Sequence, residues 1–298
     1  MNSIETLLAA ENCLLLDGAM GTMLMAAGLE SGEAPELWNV EHPERVRAVH
    51  RAYIEAGSRL ILTNSFGGSA LRLRRHGLYS RAFELNRAAA IIARLEAEAA
   101  PQTVLVAGSM GPTGEMLVPL GKMEPGEAVQ IFAEQATALA AGGVDMLWIE
   151  TMSDLGEVEA AVSGARYGAP QLPLAVTMTY ESRGRTMMGI KPQQAAAAMK
   201  AAGVTIIGAN CGTGPDGVEQ VIAILREAYL EATLIAKANA GLPHMEGGAL
   251  SYDGTPEVMA GYARRARQLG ATLIGACCGS SPAHIQAMAT ALSDQESV

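Results

Sequence analysis

A short apolar run, a glycine-rich turn and a helical stretch recur along this chain. The apolar runs are Leu14–Leu16, Leu60–Leu62, Val104–Ala107, Met146–Ile149, Leu174–Val176, Ile206–Ala209, Leu234–Ala236 and Leu273–Gly275. They are rich in Leu, Ile and Val and lack polar alternation, the pattern of parallel strands covered on both faces. Between them the spacing turns helical. Val129, Phe132, Ala133, Ala136 and Ala140 share one helix face, as do Ile285, Met288, Ala289 and Leu292. Thr255-Pro256 and Ser281-Pro282 read as an N-cap followed by proline in the first helical position. Eight such units predict a parallel sheet closed on itself, a (β/α)8 TIM barrel. An open doubly wound sheet is the alternative, but it would carry fewer strands.

The length of 298 residues suits one such barrel. No linker, charge block or low-complexity tract divides the chain, so residues 1–298 are expected to form a single domain. The net charge of −10 argues against general nucleic-acid or anionic-membrane binding, because both favour basic surfaces. No apolar stretch reaches the roughly 18 residues of a membrane span. The first residues carry Glu5 and Glu11 without a basic segment, so no secretory leader is expected. A cytoplasmic protein is the expectation. A homo-oligomer stays open, since no helix carries an unmistakable second apolar face.

Barrels of this kind do their chemistry at the carboxyl ends of the strands. There the chain places Asp17-Gly18, Thr63-Asn64-Ser65, Gly108-Ser109-Met110, Glu150-Thr151, Asn210-Cys211-Gly212, Asn239-Ala240-Gly241 and Cys277-Cys278-Gly279. Three of the four cysteines, Cys211, Cys277 and Cys278, therefore meet at one rim. Three thiolates there would suit a soft divalent metal such as zinc and leave a fourth position open for a reactant. Small buried hydrophobes, or a disulfide between Cys211 and Cys277, are the competing readings. Cys13 lies before the first strand and reads as core. Zinc held by three thiolates activates water poorly but can hold a substrate thiol as its nucleophilic thiolate, which suggests alkyl transfer to sulfur. Asp17 and Glu150 could hold a substrate ammonium, or could equally be rim charges or helix N-caps. The Gly18-Ala19-Met20-Gly21 turn offers backbone N–H groups to a carboxylate. Asn64 and Ser109 join these as candidate substrate contacts. Neither G-x-x-x-x-G-K-[ST] nor G-x-G-x-x-G occurs, which weakens a phosphate-handling reading.

These residues sit in a set of segments that resembles the homocysteine S-methyltransferase family. The segments are LLLDGAMGTML, EHPERVRAVHRAYIEAGS, LTNSFGGS, GSMGPTG, IETM, GANCGTGP and IGACCGSSPAHI, and they run through nearly the whole chain. The resemblance implies zinc on Cys211, Cys277 and Cys278, homocysteine as methyl acceptor and methionine as product. It also implies that Asp17 and Glu150 grip the amino-acid end. Within the family, Asn239-Ala240-Gly241-Leu242-Pro243 resembles the homocysteine module of cobalamin-dependent methionine synthases. That resemblance makes Asn239 a fourth zinc ligand before substrate arrives and methylcobalamin the donor. Because nothing in the chain resembles a cobalamin module, the corrinoid is expected on a separate partner protein.

Two other readings differ in donor or in class. The betaine enzymes surround a trimethylammonium group with aromatic rings, as cation–π attraction favours. Two of their tyrosines fall on Gly67 and Thr151 here. Trp38, Tyr180 and Tyr252 are the residues that could rebuild part of such a cage for betaine, and S-methylmethionine is another small donor. Trp38 fits a packing role equally well. A non-catalytic barrel that senses or sequesters a thiol is the remote alternative.

Overall fold

The computed structural model describes residues 4–181, 183–246 and 249–293. Each predicted apolar run forms a strand: β1 (Leu14–Leu15), β2 (Leu60–Leu62), β3 (Leu105–Met110), β4 (Met146–Met152), β5 (Leu174–Met178), β6 (Ile206–Cys211) and β7 (Thr233–Ala238). A two-stranded hairpin comes next, β8 (Pro243–Glu246) and β9 (Ala249–Tyr252), and then β10 (Ala271–Ala276). The eight barrel strands are all parallel, in the order β1-β10-β7-β6-β5-β4-β3-β2. A parallel bridge between Leu16 and Leu60 joins the two ends. The fold is a (β/α)8 barrel. No helix among the described residues is long and apolar enough to cross a membrane.

Side-chain parity divides the barrel wall into an inner and an outer face. Leu14, Leu60, Leu105, Met146, Trp148, Ile206, Ile235 and Leu273 meet inside and are fully or almost fully buried. Ile4 and Leu7, from the helix Ile4–Glu11, join this cluster. Alternate strand residues such as Val106, Leu147, Ile149, Ala236 and Ile274 belong to a second cluster with the surrounding helices.

The predicted helix Pro125–Ala141 carries Phe132, Ala133 and Ala136 on its buried side. Thr255 caps the helix Pro256–Gln268, accepting from Val258 N at 3.4 Å. Ser281 precedes the helix Pro282–Ser293, and its backbone N–H donates to His284 Nδ1 at 3.1 Å. Cys13 packs against the outer core, away from the other cysteines.

The structure differs from the sequence reading at strand lengths. β4 and β6 extend past their apolar runs through Glu150 and Cys211, the residues that the sequence places at the strand ends. Their backbones keep the ladder, while polar side chains replace the apolar ones. In the hairpin β8–β9, Pro243 stands opposite Tyr252 and His244 opposite Ser251.

Candidate active site at the head of the barrel

A cavity of about 580 Å3 opens at the carboxyl ends of the strands. Its walls include Asp17, Gly18, Ala19, Met20 and Gly21 from the first turn, and Asn64, Ser109 and Glu150 from the next three strand ends. Cys211, Cys277 and Cys278 complete it. A second cavity, of about 670 Å3, lies outside the barrel against the helix Leu155–Gly168 and has no cysteine in its walls.

Cys211 ends β6, and Cys277 and Cys278 directly follow β10. All three are free thiols, with sulfurs within 4.8 Å of one another. Among the described residues they form the group of His, Cys, Asp and Glu side chains close enough to share a metal ion. Cys211 has φ 57°, and Thr151 has φ 62°. These left-handed conformations cost roughly 1–2 kcal/mol each outside glycine and need support from the surroundings. Asn210 supplies it. Its Oδ1 accepts from Thr151 N at 2.9 Å and Thr177 Oγ1 at 2.7 Å. Its Nδ2 donates to Thr151 Oγ1 at 2.7 Å and toward Cys211 Sγ at 3.4 Å.

The three sulfurs do not ionise independently. Hydrogen bonds from Cys211 and Cys277 pull the Cys278 thiol down to about 3. The Cys211 thiol, 2.8 Å away, lowers Cys277, yet its contact with Cys278 together with burial pushes it up to about 11. Cys211 is raised well above the ordinary thiol range by its contacts with both neighbours and by burial. One thiolate thus forms readily and the next two resist, the electrostatic situation that a bound divalent cation relieves.

Below the sulfurs lies a buried charged floor. Glu150 accepts a short hydrogen bond from Ser109 Oγ. Burial raises its carboxyl to about 7, with Lys237 opposing the rise. Asp17 Oδ2 accepts from Leu62 N at 2.7 Å, and Asp17 Oδ1 lies 3.2 Å from Lys237 Nζ. Burial pulls Asp17 up while the Lys237 ammonium pulls it down. Burial also works against the Lys237 charge, but Asp17, Cys277 and Glu150 outweigh it and hold the ammonium above the usual lysine range. Neither carboxylate is a helix cap: Ala19 occupies that place before the helix Met20–Ala26, and Asp154 before the helix Leu155–Gly168.

Gly18 is required by close packing. A Cβ there would lie 2.5 Å from Ser280 Oγ and 2.7 Å from the Tyr53 ring. Ser280 Oγ also accepts from Ala19 N at 3.0 Å, and Tyr53 Oη donates to Ala19 O at 2.9 Å. Asn64 has a scaffolding set of partners, donating to Pro35 O and to Asn39 Oδ1.

Asn239 is the candidate that does not line the cavity. Its Nδ2 donates to Gly212 O at 3.1 Å and its Oδ1 accepts from Cys278 N at 3.1 Å. The amide ties the Cys211 loop to the Cys278 loop. Trp38 takes the packing role: it is buried, edge-on to His42 and under the Arg45 guanidinium. Tyr180 is also buried, and neither it nor Trp38 nor Tyr252 lines the cavity, whose aromatic lining is Phe66. The three do not assemble an aromatic cage around it.

Lys237 is a site residue that the sequence pattern did not single out, because it lies within its strand and short of the strand end. Parity would have found Lys237, since it stands two residues past the inward-facing Ile235 on the same strand.

Comparison with known proteins agrees with this geometry. The sequence pattern of the family described as homocysteine S-methyltransferase matches residues 14–292. Methionine synthase of Mycobacterium leprae is 33% identical over 97% of this chain, and that of Mycobacterium tuberculosis is 32% identical over 96%. The chain spans about a quarter of the length of these curated relatives, 25% of each. The metallated form of the homocysteine methyltransferase MmuM from Escherichia coli superposes with a TM-score of 0.77 at 27% identity, covering 96% of this chain and 99% of that one. Its oxidised form superposes with a TM-score of 0.78, again at 27% identity, covering 96% of this chain and 98% of that one. With the match extending over nearly the whole barrel and its three-cysteine rim, the chain belongs to the homocysteine S-methyltransferase family.

Proposed function

We propose that this protein is a zinc-dependent methyltransferase that makes methionine from homocysteine, with methylcobalamin on a corrinoid-binding partner as donor. The observation that carries the reading is the cluster of three cysteine sulfurs over a buried, charged floor at the head of the barrel. The donor set fits zinc: three soft thiol ligands, with room in the cavity for a reactant. Cys211, Cys277 and Cys278 would hold the ion, and zinc bound there would supply the Lewis acidity that keeps the acceptor sulfur a thiolate near neutral pH.

The chain's own residues orient the acceptor. Glu150 and Asp17 face its ammonium end, and N–H groups of the Gly18–Gly21 turn face its carboxylate. Asn64 and Ser109 border the same space, Ser109 by fixing Glu150. Asn239 holds the two cysteine loops at their spacing, and its place as a fourth ligand before substrate binds belongs to the same proposal. The acceptor sulfur then attacks the methyl carbon in line: the S–CH3 bond forms, and the electron pair of the broken bond stays on the donor.

Two findings support a corrinoid donor. The similar curated proteins are methionine synthases. Among the described residues, Phe66 is the Phe, Tyr or Trp ring in the cavity lining, short of the several rings that a small trimethylammonium donor would favour. Methionine formation by the zinc-loaded protein tests this directly, with methylcobalamin, betaine or S-methylmethionine supplied separately. Turnover with methylcobalamin alone is expected. Turnover with betaine or S-methylmethionine and none with methylcobalamin would reject the donor.

A further inference from the structure

The chain has a net charge of −10, yet one edge of the head cavity is basic. Arg72, Arg75 and His76 lie on and just after the short helix Ala70–Arg74, and all three line the cavity. Ser69 fixes where that helix begins, its Oγ accepting from Arg72 N at 3.4 Å. Arg75 is tied to the loop after β3, donating to Gly114 O at 3.0 Å.

Arg72 is held in place without being neutralised. Its guanidinium lies over the Phe66 ring, 5.3 Å from the centroid. Among the described residues its side chain makes no hydrogen bond and no ion pair, and the same holds for the side chain of His76. The acids of this edge are engaged elsewhere. Glu36 is buried and accepts from Gly67 N at 2.6 Å, and Glu33 accepts from Glu30 N at 3.0 Å. Glu115 lies 3.8 Å from Arg75, with both side chains about half exposed, a geometry that holds neither strongly. The guanidinium of Arg72 therefore keeps its N–H donors for a group that arrives from outside.

What arrives over this edge is the methyl donor, since the acceptor lies at the sulfurs and the floor. In methylcobalamin the methyl group and the nucleotide phosphate lie on opposite faces of the corrin. A methyl aimed at the three sulfurs points that phosphate away from the barrel, and the side chains rimming the corrin are neutral amides. The oxyanions within reach of the edge are those of the protein that surrounds the corrin. Charge complementarity also favours this one edge. An acidic partner is repelled by most of an acidic chain and drawn to its basic segment, and the attraction acts within about 8–10 Å.

We propose that Arg72, Arg75 and His76 form a docking surface for the protein that carries the methyl donor, and that this partner presents Asp or Glu side chains to it. Complementary rim charge speeds and orients encounter more than it adds affinity. The edge thus brings the methyl group over the sulfurs in the right orientation. This inference rests on the reading of the donor as a corrinoid held by a separate protein.

The test compares methyl transfer to homocysteine from free methylcobalamin and from a carrier. The carrier is the corrinoid protein purified by its cobalt content from the cells that make this chain, then reduced to Co(I) and methylated with methyl iodide. The readout is the ratio of kcat/KM with the carrier to kcat/KM with free methylcobalamin, which cancels any loss common to both donors. Arg75→Glu is expected to lower that ratio by about 10–100-fold, and Arg72→Gln by about 3–10-fold. In the wild type, raising NaCl from about 0.05 to about 0.5 M is expected to lower the ratio by about 10-fold. This salt arm needs no variant. A ratio unchanged in both variants, or insensitive to salt in the wild type, overturns the docking surface while leaving the corrinoid donor in place. Turnover with free methylcobalamin but with no carrier overturns the separate partner and this inference with it. Turnover with neither rejects the corrinoid donor itself, and the docking surface falls with it.

Discussion

The inner face of the barrel has two halves built from the same strands at the same parity. In the lower half Leu60, Leu105, Ala107, Met146, Trp148, Ile206 and Ile235 interlock as an apolar plug. Two residues farther along β3, β4 and β7 stand Ser109, Glu150 and Lys237. Both halves are buried, yet one stores stability and the other stores buried charge. Burying an apolar side chain contributes about 1.5–3 kcal/mol, while a buried charge is unfavourable unless partners surround it. The upper half is tolerable because the lower half and the outer core hold the strands in place regardless. That division is what lets a barrel change its chemistry without changing its fold.

Substitutions can break the comparison in either half. Cys277→Ser in the upper half should abolish zinc retention and lower methyl transfer by at least about 1,000-fold, roughly 4 kcal/mol of transition-state stabilisation. Metal analysis and turnover read that loss, while urea unfolding of the metal-free chain should move by less than about 1 kcal/mol. Trp148→Ala in the lower half should do the reverse. It should cost about 3–5 kcal/mol in urea unfolding through lost transfer energy and a cavity, with the zinc stoichiometry of the folded fraction unchanged.

Glu150 offers a pH test of the upper half. Burial raises its carboxyl from 4.5 to about 7, so between those values the folded chain keeps a proton that the unfolded chain has released. Its contribution to stability is full below about 4.5 and is lost as pH rises through about 7. In the metal-free protein this amounts to about 3 kcal/mol. Urea midpoints from pH 4 to pH 8 should fall in the wild type relative to Glu150→Gln, and parallel curves would contradict the assignment. The smallest effect expected is that of Asn210→Ala. It removes the clamp on Thr151 and the N–H directed at Cys211, and should weaken zinc by about 10–100-fold. Competition with a chromogenic chelator measures it.

How much of this was legible beforehand differs by element. The eight strands follow from local periodicity, because a parallel strand covered on both faces must be apolar whatever its neighbours are. Thr255 reads as a cap for the same local reason, since the bond it makes closes within three residues. Asp17, Glu150 and the three rim cysteines were placed together because strand ends in a closed barrel share one rim. How many residues β4 and β6 run past their apolar positions was not legible, since a ladder continues through backbone groups that carry no side-chain signal.

The sequence by itself determined the barrel, the rim and the thiol-rich chemistry of that rim. Each follows from spacing along the chain and from residue type. The tertiary structure decided which side chains answer one another across the barrel. It brought Lys237 to Asp17, two strands away, and turned Asn239 toward the cysteine loops instead of the cavity. It also left Trp38 in the outer core, away from the cavity. Such pairings depend on side-chain length, on the curvature of the wall and on the competition of every buried polar group for a partner. Those quantities exist only once distant segments have been brought together.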